Sequence, residues 1–563
     1  MENIYSRKPW IACYDKGVLP VLSYPDKLFS EMFAETVKQY ADKAALIYLG
    51  RKLSFIEVDV IANRFAHYLQ ISGLAPGDVV GLHLPNIPAH YIGMIAVQKA
   101  GMVSTGLSPL LTPAELAHQL NDSGTKLILT VDVLFDKIAD VAERAAFSTV
   151  VVSAIADFMP GIKRALGKLL KKIPTAAVTP LKGKTVVRLT EAIQETPAFP
   201  VMVSRNMEDP MFLMYTGGTT GPSKGAVLTQ RNYMANRLQV LTWLDIRAED
   251  VALSAFPLFH IAGLALGGFT LTQGTTQICV PNPRDTAFLI QAIKTWTPTF
   301  MVNVPTVYFQ LMKNPEFGRM NLGAIKWCLS AAAPFPAENI QELEAIIGKG
   351  NFIELYGMTE TSPVTCCNPR YGIKKSSSIG LPLPDTEFLL VDPETGQTVE
   401  TGEPGEILIR GPQVMRGYFN KPEETAHALE HGWMHTGDIA RMDADGYFYI
   451  VDRLKDMVIV SGFKVFTKEL DDVISRHPDV QLAASVGVPD PERPGSERVA
   501  MAVVLRPGVE KSEREKDKIL AFLRENVAPY KVPKVILFMD ELPTSGVGKI
   551  LKREIRKMLS GKL

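Results

Sequence analysis

The sequence predicts an α/β protein: a large, multi-subdomain N-terminal domain of helix-covered sheets, hinged to a small α+β C-terminal domain. Three observations carry this. The chain has 563 residues, 46% hydrophobic and 21% charged, an ordinary globular composition at a length that exceeds one compact core. Apolar β-rich runs alternate with helix-like stretches through the N-terminal part, the pattern of sheets covered by helices. The C-terminal stretch carries enough elements of its own for a second core.

Taken in order, Ile61, Phe65 and Leu69 lie at helical spacing, glycines 73 and 77 break that helix, and residues 79–84 read as a buried strand. Further strands are predicted at 126–130 and 149–153. Residues 162–173 (IKRALGKLLKKI) place Ile162, Leu166, Leu169 and Ile173 on one face and Lys163, Arg164, Lys168, Lys171 and Lys172 around the rest. That is a basic amphipathic helix suited either to an anionic membrane surface or to docking on its own domain. Residues 251–271 run without a charge, close to membrane-span length, but Pro257, His260 and Gly263, Gly267 and Gly268 interrupt them. They are read as a buried loop and helix. Near the C-terminus a helix is predicted at 468–475, strands at 482–488 and 498–505, a charged amphipathic helix at 512–527 and a last strand at 534–538. The charged run 452–456 just ahead of them is the candidate hinge, which divides the chain into 1–451, 452–456 and 457–563.

Charge and cysteine use narrow the function. Sixty Lys+Arg balance 60 Asp+Glu, so no global positive field favours nucleic acid, and membrane attraction would need a local patch. Cys13, Cys279, Cys328, Cys366 and Cys367 form no CxxC, which matches neither a disulfide framework nor a zinc site. The N-terminus lacks the apolar run of a signal peptide, and a cytoplasmic location is expected.

The strongest local signal is Tyr215-Thr-Gly-Gly-Thr-Thr-Gly-Pro-Ser-Lys-Gly225. Its glycines and threonines allow backbone N–H groups and hydroxyls to close around an anion, and Lys224 adds a point charge, as a polyphosphate requires. Apolar sequence on both sides argues against an open linker. The loop is not GxxxxGK[ST], because Lys224 is followed by Gly225.

This loop resembles the signature of the adenylate-forming superfamily of acyl-CoA synthetases, luciferases and peptide-synthetase adenylation domains. Tyr356-Gly-Met-Thr-Glu-Thr361, Trp433-Met-His-Thr-Gly-Asp438, Val451-Asp-Arg-Leu-Lys-Asp456, Ser461-Gly-Phe463 and Gly548-Lys549 follow in that family's order. Asn282-Pro-Arg284, Ser378-Ile-Gly-Leu-Pro382, Gly411-Pro-Gln-Val-Met415 and Tyr530-Lys-Val-Pro533 are most similar to bacterial long-chain fatty acid CoA ligases. The resemblance covers essentially the whole chain.

It implies an ATP-dependent ligase that activates a medium- to long-chain or bulky apolar carboxylic acid as its acyl-adenylate and passes it to coenzyme A. The implied cofactors are ATP, Mg²⁺ and coenzyme A. Tyr215, Thr216, Gly217, Gly218, Thr219, Thr220, Gly221 and Lys224 would hold the phosphates, Thr216 and Glu360 would place Mg²⁺, and Thr359 would bind the α-phosphate. Tyr356 would pack on adenine, beside Ala331, Ala332 and Ala333, and Asp438 with Arg453 would take the ribose hydroxyls. Lys549 would orient the carboxylate and steady the α-phosphate. Lys455 would be the hinge residue about which the small domain turns, and Gly462 would then meet the pantetheine arm. His260 would gate the acyl site, which Leu355 and Gly357 would shape.

Each residue also has a plainer role open to it: a helix cap for Glu360, a turn for Asp438, a core aromatic for Tyr356, a core histidine for His260, and a solvated helix face for Lys549. Ala331, Ala332 and Leu355 stand where many relatives carry glycine, which would narrow or redirect the acyl tunnel. Two other functions share the motifs: loading a carrier protein from the same adenylate, and non-catalytic lipid binding. A luciferase-like oxygenase is a third. The expected partners are the carboxylic acid, an anionic membrane met peripherally, and a second copy in a homodimer; nucleic acid is not among them.

Overall fold

The computed structural model describes residues 4–170, 173–201, 203–216, 222–333, 335–460, 463–491, 497–545 and 549–560, with only the backbone at Lys168. Gly217, Gly218, Thr219, Thr220, Gly221 and Gly462 therefore lie outside the described residues.

Two large sheets dominate the N-terminal part. In the nine-stranded one, Ala44–Tyr48, Thr276–Cys279, Val251–Ser254, Phe300–Asn303, Trp327–Ser330 and Phe352–Gly357 run parallel side by side. Antiparallel strands Arg51–Ser54, Val364–Cys367 and Leu381–Pro382 complete its edges. The eight-stranded sheet places Val103–Gly106, Val79–His83, Thr125–Val131, Thr149–Ser153 and Thr185–Arg188 in a parallel block. The antiparallel pair Pro210–Thr216 and Lys224–Thr229 joins that block. Every residue of helix Pro88–Lys99 is buried: most are apolar, and of the buried polar ones Lys99 pairs with Asp59 at 2.7 Å and Gln98 with the Met211 carbonyl at 3.1 Å. Phe55–Ile71 opens on a capping box, Ser54 accepting from the Glu57 amide while Glu57 returns to the Ser54 amide.

One core unites these layers with a third, four-stranded sheet of Glu387–Val391, Gly405–Arg410, Met434–Met442 and Phe448–Arg453. It contains Leu82 and Phe212 from one large sheet, Trp327 and Ile353 from the other, and Ile407 and Phe448 from the third. From Val458 onward the chain builds separate cores on the two faces of a three-stranded sheet, Val480–Pro489, Glu497–Leu505 and Val535–Met539. The predicted mixed α/β class, large N-terminal unit and small C-terminal unit are what this architecture shows.

Two expectations about elements need correction. Residues 251–271 are not only loop and helix: Val251–Ser254 is a central strand, and the helix is Ile261–Leu271. A short, fully apolar run has no periodicity to separate strand from helix. The basic helix is shorter than predicted, Gly161–Leu169, and Ile173 lies beyond it, with its side chain over Gly167. Pro174 accounts for Ile173 lying outside the helix, because the residue ahead of a proline is pushed out of the helical region.

Candidate functional site

Parallel strands gather their carboxyl ends along one edge, and ligands of open α/β sheets sit outside those ends. Here that edge carries Phe256, Val302, Leu329, Ala331 and Leu355. With Val240, Ala262, Leu266, Phe269 and Val364 they enclose an apolar cavity of about 50 Å³.

The alanines that follow strand Trp327–Ser330 divide. Ala331 is buried against the cavity. Ala332 is exposed at φ 71°, the left-handed region that L-residues avoid and glycine enters freely. The glycine expected there in relatives thus answers a backbone need, and Ala332 does not narrow the cavity. Ala333 is half-buried. Gly357 also serves the backbone: a Cβ would come within 1.9 Å of the Pro363 carbonyl oxygen. Its glycine is demanded by that approach whatever the acyl chain.

One residue on from cavity-lining Leu355, three predicted residues meet. Asp438 and Arg453 are register partners on adjacent antiparallel strands, and Arg453 Nε lies 3.1 Å from Asp438 Oδ1. Tyr356 donates its hydroxyl to Asp438 Oδ2 at 2.6 Å. Burial, then the neighbouring Asp438 carboxylate, push the Tyr356 hydroxyl far above its usual range, so it stays a donor. A carboxylate has about four acceptor sites; two are used here, and two remain for a diol.

Beside the glycine-rich loop, Thr216 and Lys224 are register partners at its two ends. Lys224 Nζ sits 4.8 Å from the Tyr418 ring centroid, and Tyr418 donates to Glu360 Oε1 at 2.8 Å. Glu360 is 6% exposed; burial raises its carboxyl pKa, against the Tyr418 hydroxyl bond and the Lys224 charge. No ion pair to Glu360 is found among the described residues. Tyr215 donates to Asp122 Oδ2 at 2.6 Å, which ties the loop's first residue to helix Pro113–Ser123. Sequence reasoning missed Tyr418 and Asp122; Tyr418 lies just past the recognised Gly411–Met415 segment, where only the fold shows that strand Gly417–Tyr418 pairs with Lys224–Thr229. Thr359 opens the short 3₁₀ turn that holds Glu360.

Lys549 arrives from the C-terminal unit. Its loop is pinned by Ser545 N–H to the Lys549 carbonyl at 2.7 Å and by Leu551 N–H to the Pro543 carbonyl at 2.8 Å. Its ammonium pKa is pushed down to about 8, by burial first and then by Arg453, against the attraction of Asp438. The same ammonium acts on His260, whose imidazole is pushed down to about 4, chiefly by burial. His260 is neutral, and Nδ1 accepts from the Ala262 amide at 3.2 Å, which leaves the ring proton on Nε2. Helix Ile261–Leu271 thus opens on His260, two residues from cavity-lining Ala262. Lys455 is exposed in the turn after strand Phe448–Arg453.

Residues 33–419 match the AMP-binding enzyme model and residues 469–549 the AMP-binding enzyme C-terminal domain model. The chain belongs to the AMP-binding enzyme family. It is 37% identical to a long-chain-fatty-acid–CoA ligase of Bacillus subtilis, over 98% of each chain. It is 36% identical to a ligase of the same description from Escherichia coli O157:H7, over 99% of each. Among solved structures it is similar to ATP-bound MatB of Rhodopseudomonas palustris, with TM-score 0.82 and 28% identity over 94% of this chain and 99% of that one.

Proposed function

We propose that this AMP-binding enzyme is an AMP-forming acyl-CoA synthetase acting on medium- to long-chain fatty or bulky apolar acids. One combination of observations carries the reading: Leu355 lines an apolar cavity directly before Tyr356, which bonds the Asp438 carboxylate paired with Arg453, and half-buried Lys549 of the C-terminal unit lies within electrostatic reach of that pair. In the first step a carboxylate oxygen attacks the α-phosphorus of ATP and pyrophosphate leaves. Two anions must meet, so positive charge has to be supplied where water is scarce. Lys549 supplies it at the carboxylate and α-phosphate, Lys224 at the departing phosphates, and Thr359 a hydroxyl to the α-phosphate. Asp438 holds the ribose hydroxyls and Tyr356 flanks the adenine, its ring fixed by the bond to Asp438.

Mg²⁺ suits Glu360, a buried hard-oxygen donor with one oxygen facing Tyr418; Thr216 would be its companion. Held there, the ion would supply positive charge against the phosphates of ATP. In the second step the thiol of coenzyme A attacks the anhydride carbonyl, its proton is lost and AMP leaves. The small domain turns about Lys455 between the steps, withdrawing Lys549 and bringing Gly462 to the pantetheine arm. Carboxylate-dependent exchange of pyrophosphate into ATP, scanned from acetate to stearate, tests the first step; release of AMP on adding coenzyme A separates this reading from carrier-protein loading. Absence of exchange with every acid in the series would leave a non-catalytic lipid binder.

Asp438→Asn is expected to raise KM for ATP about tenfold, the lower end of the value of a hydrogen bond to a charged group, with KM for the acid little changed. An equal rise in both would remove Asp438 from the ribose.

Peripheral membrane attachment is part of the proposal. Ile162 and Leu169 are 79% and 78% exposed, and Leu166 is exposed beside them, so among the described residues the apolar face of Gly161–Leu169 is left uncovered. Lys163 turns back to the Leu49 carbonyl at 3.2 Å. Replacing Lys168, Lys171 and Lys172 by Gln should weaken binding to anionic vesicles at least about tenfold, at about 1 kcal/mol per basic residue, without changing soluble turnover. Unchanged binding would restrict this helix to a role in solution. No helix among the described residues is long and apolar enough to cross a membrane. A cytoplasmic homodimer is the assembly this reading carries, and sedimentation tests it.

A further inference from the structure

Lys549 lies within electrostatic reach of Asp438 and Arg453, yet the C-terminal unit packs around cores of its own, so its orientation on the large domain needs a connection between the two. The described contacts supply a continuous connection. Asp452 is 4% exposed and its backbone pairs with Ile439 in the four-stranded sheet, so it moves with the large domain. Its carboxylate accepts from the Arg453 amide at 2.8 Å. It also accepts from the backbone N–H of Thr467 and, at 3.0 and 3.1 Å, from the Thr467 hydroxyl. Thr467 is fully buried and is the first residue of helix Thr467–Ile474 in the small domain. Its hydroxyl in turn accepts from Lys552 Nζ at 2.7 Å, while the same ammonium donates to Asp471 Oδ2 at 2.8 Å. Lys552 begins the helix that follows the Lys549 loop.

We infer that Asp452, Thr467 and Lys552 are positioning residues for adenylation: a buried carboxylate–hydroxyl–ammonium latch that fixes the small domain in the orientation presenting Lys549. The Thr467 hydroxyl is the joint: beside the Thr467 backbone N–H it donates across to Asp452, and among the described residues it is the group of this latch that also accepts from Lys552, so its loss leaves Asp452 only the backbone bond. Turning the small domain about Lys455 breaks the Asp452–Thr467 bonds and leaves Lys552–Asp471 intact, because both of those residues travel together. The latch therefore weights the first step against the second. Within this segment Lys464 also pairs with Glu394 at 2.8 Å, but both side chains are partly exposed, and such pairs contribute little.

This inference rests on the two-step reading above, and the test separates the two. In the full chain, Thr467→Val removes the joint at nearly constant volume, and Thr467→Ser restores it. Pyrophosphate exchange and thioester formation from supplied acyl-adenylate are measured for each, together with the thermal midpoint. The expected result is a five- to tenfold loss of exchange in Thr467→Val, thioester formation unchanged or faster, and recovery in Thr467→Ser. Equal losses in both half-reactions, or no loss in either, would overturn the latch. Absence of both half-reactions in the unaltered enzyme would instead overturn the two-step reading. A variant too unstable to assay is replaced by Lys552→Met, for which the same split is expected and an equal loss would again overturn it.

Discussion

Lys549→Ala lowers acyl-adenylate formation at least about a hundredfold, the cost of removing one oriented charge-stabilising group, and leaves thioester formation from supplied acyl-adenylate nearly intact. One lysine cannot stay at the Asp438–Arg453 pair once the small domain has turned. The charge matters as well as the side chain. Burial and Arg453 push the Lys549 ammonium down to about 8, so the protonated form dominates below that pH and is lost above it. Hence kcat/KM for adenylation, which reports the free enzyme's ionisations, should fall as pH rises through about 8, whereas thioester formation should not follow. In Lys549→Arg the charge persists to far higher pH, and that limb should disappear from whatever activity remains. Equal loss of both half-reactions in Lys549→Ala would sink the domain-rotation account.

What could be read from the residues and what could not have different physical origins. Strand 149–153 was legible to the residue, because it is a compact run rich in β-branched residues and buried on both faces. Asp438 and Arg453 could be named from their motifs, but that they are cross-strand partners depends on how two distant segments register, which no local pattern encodes. Tyr418 escaped notice for the same reason: its bond to Glu360 joins residues 58 apart. Gly357 and Ala332 were recognised as positions that matter to the acyl pocket, yet the close Pro363 carbonyl and the left-handed φ are backbone facts. Of the positions where this chain departs from glycine, Ala331 and Leu355 are the ones whose side chains line the cavity.

Leu355→Gly should therefore change which acids the enzyme prefers. Leu355 is half-buried at the carboxyl end of strand Phe352–Gly357, one residue before Tyr356, and its side chain forms part of the cavity wall. Its backbone is fixed by pairing with Cys367, itself buried, so the wall at this point is set by the side chain and not by a mobile loop. Removing that side chain frees a volume comparable to four methylene-sized groups. Each methylene accommodated contributes about 0.8 kcal/mol of burial, roughly fourfold in kcat/KM per carbon, and the gain continues until the new space is filled. Across the freed volume the preference for longer or wider acids should rise by roughly two orders of magnitude at most, less what neighbouring Phe256, Val302 and Ala331 recover by relaxing inward. The change should sit in kcat/KM for the acid, with KM for ATP nearly constant, because Tyr356 keeps its bond to Asp438. Measuring kcat/KM along a saturated acid series for both forms decides the matter: an unchanged chain-length profile would remove Leu355 from the acyl pocket, and a uniform fall across all acids would mark it as a structural residue alone.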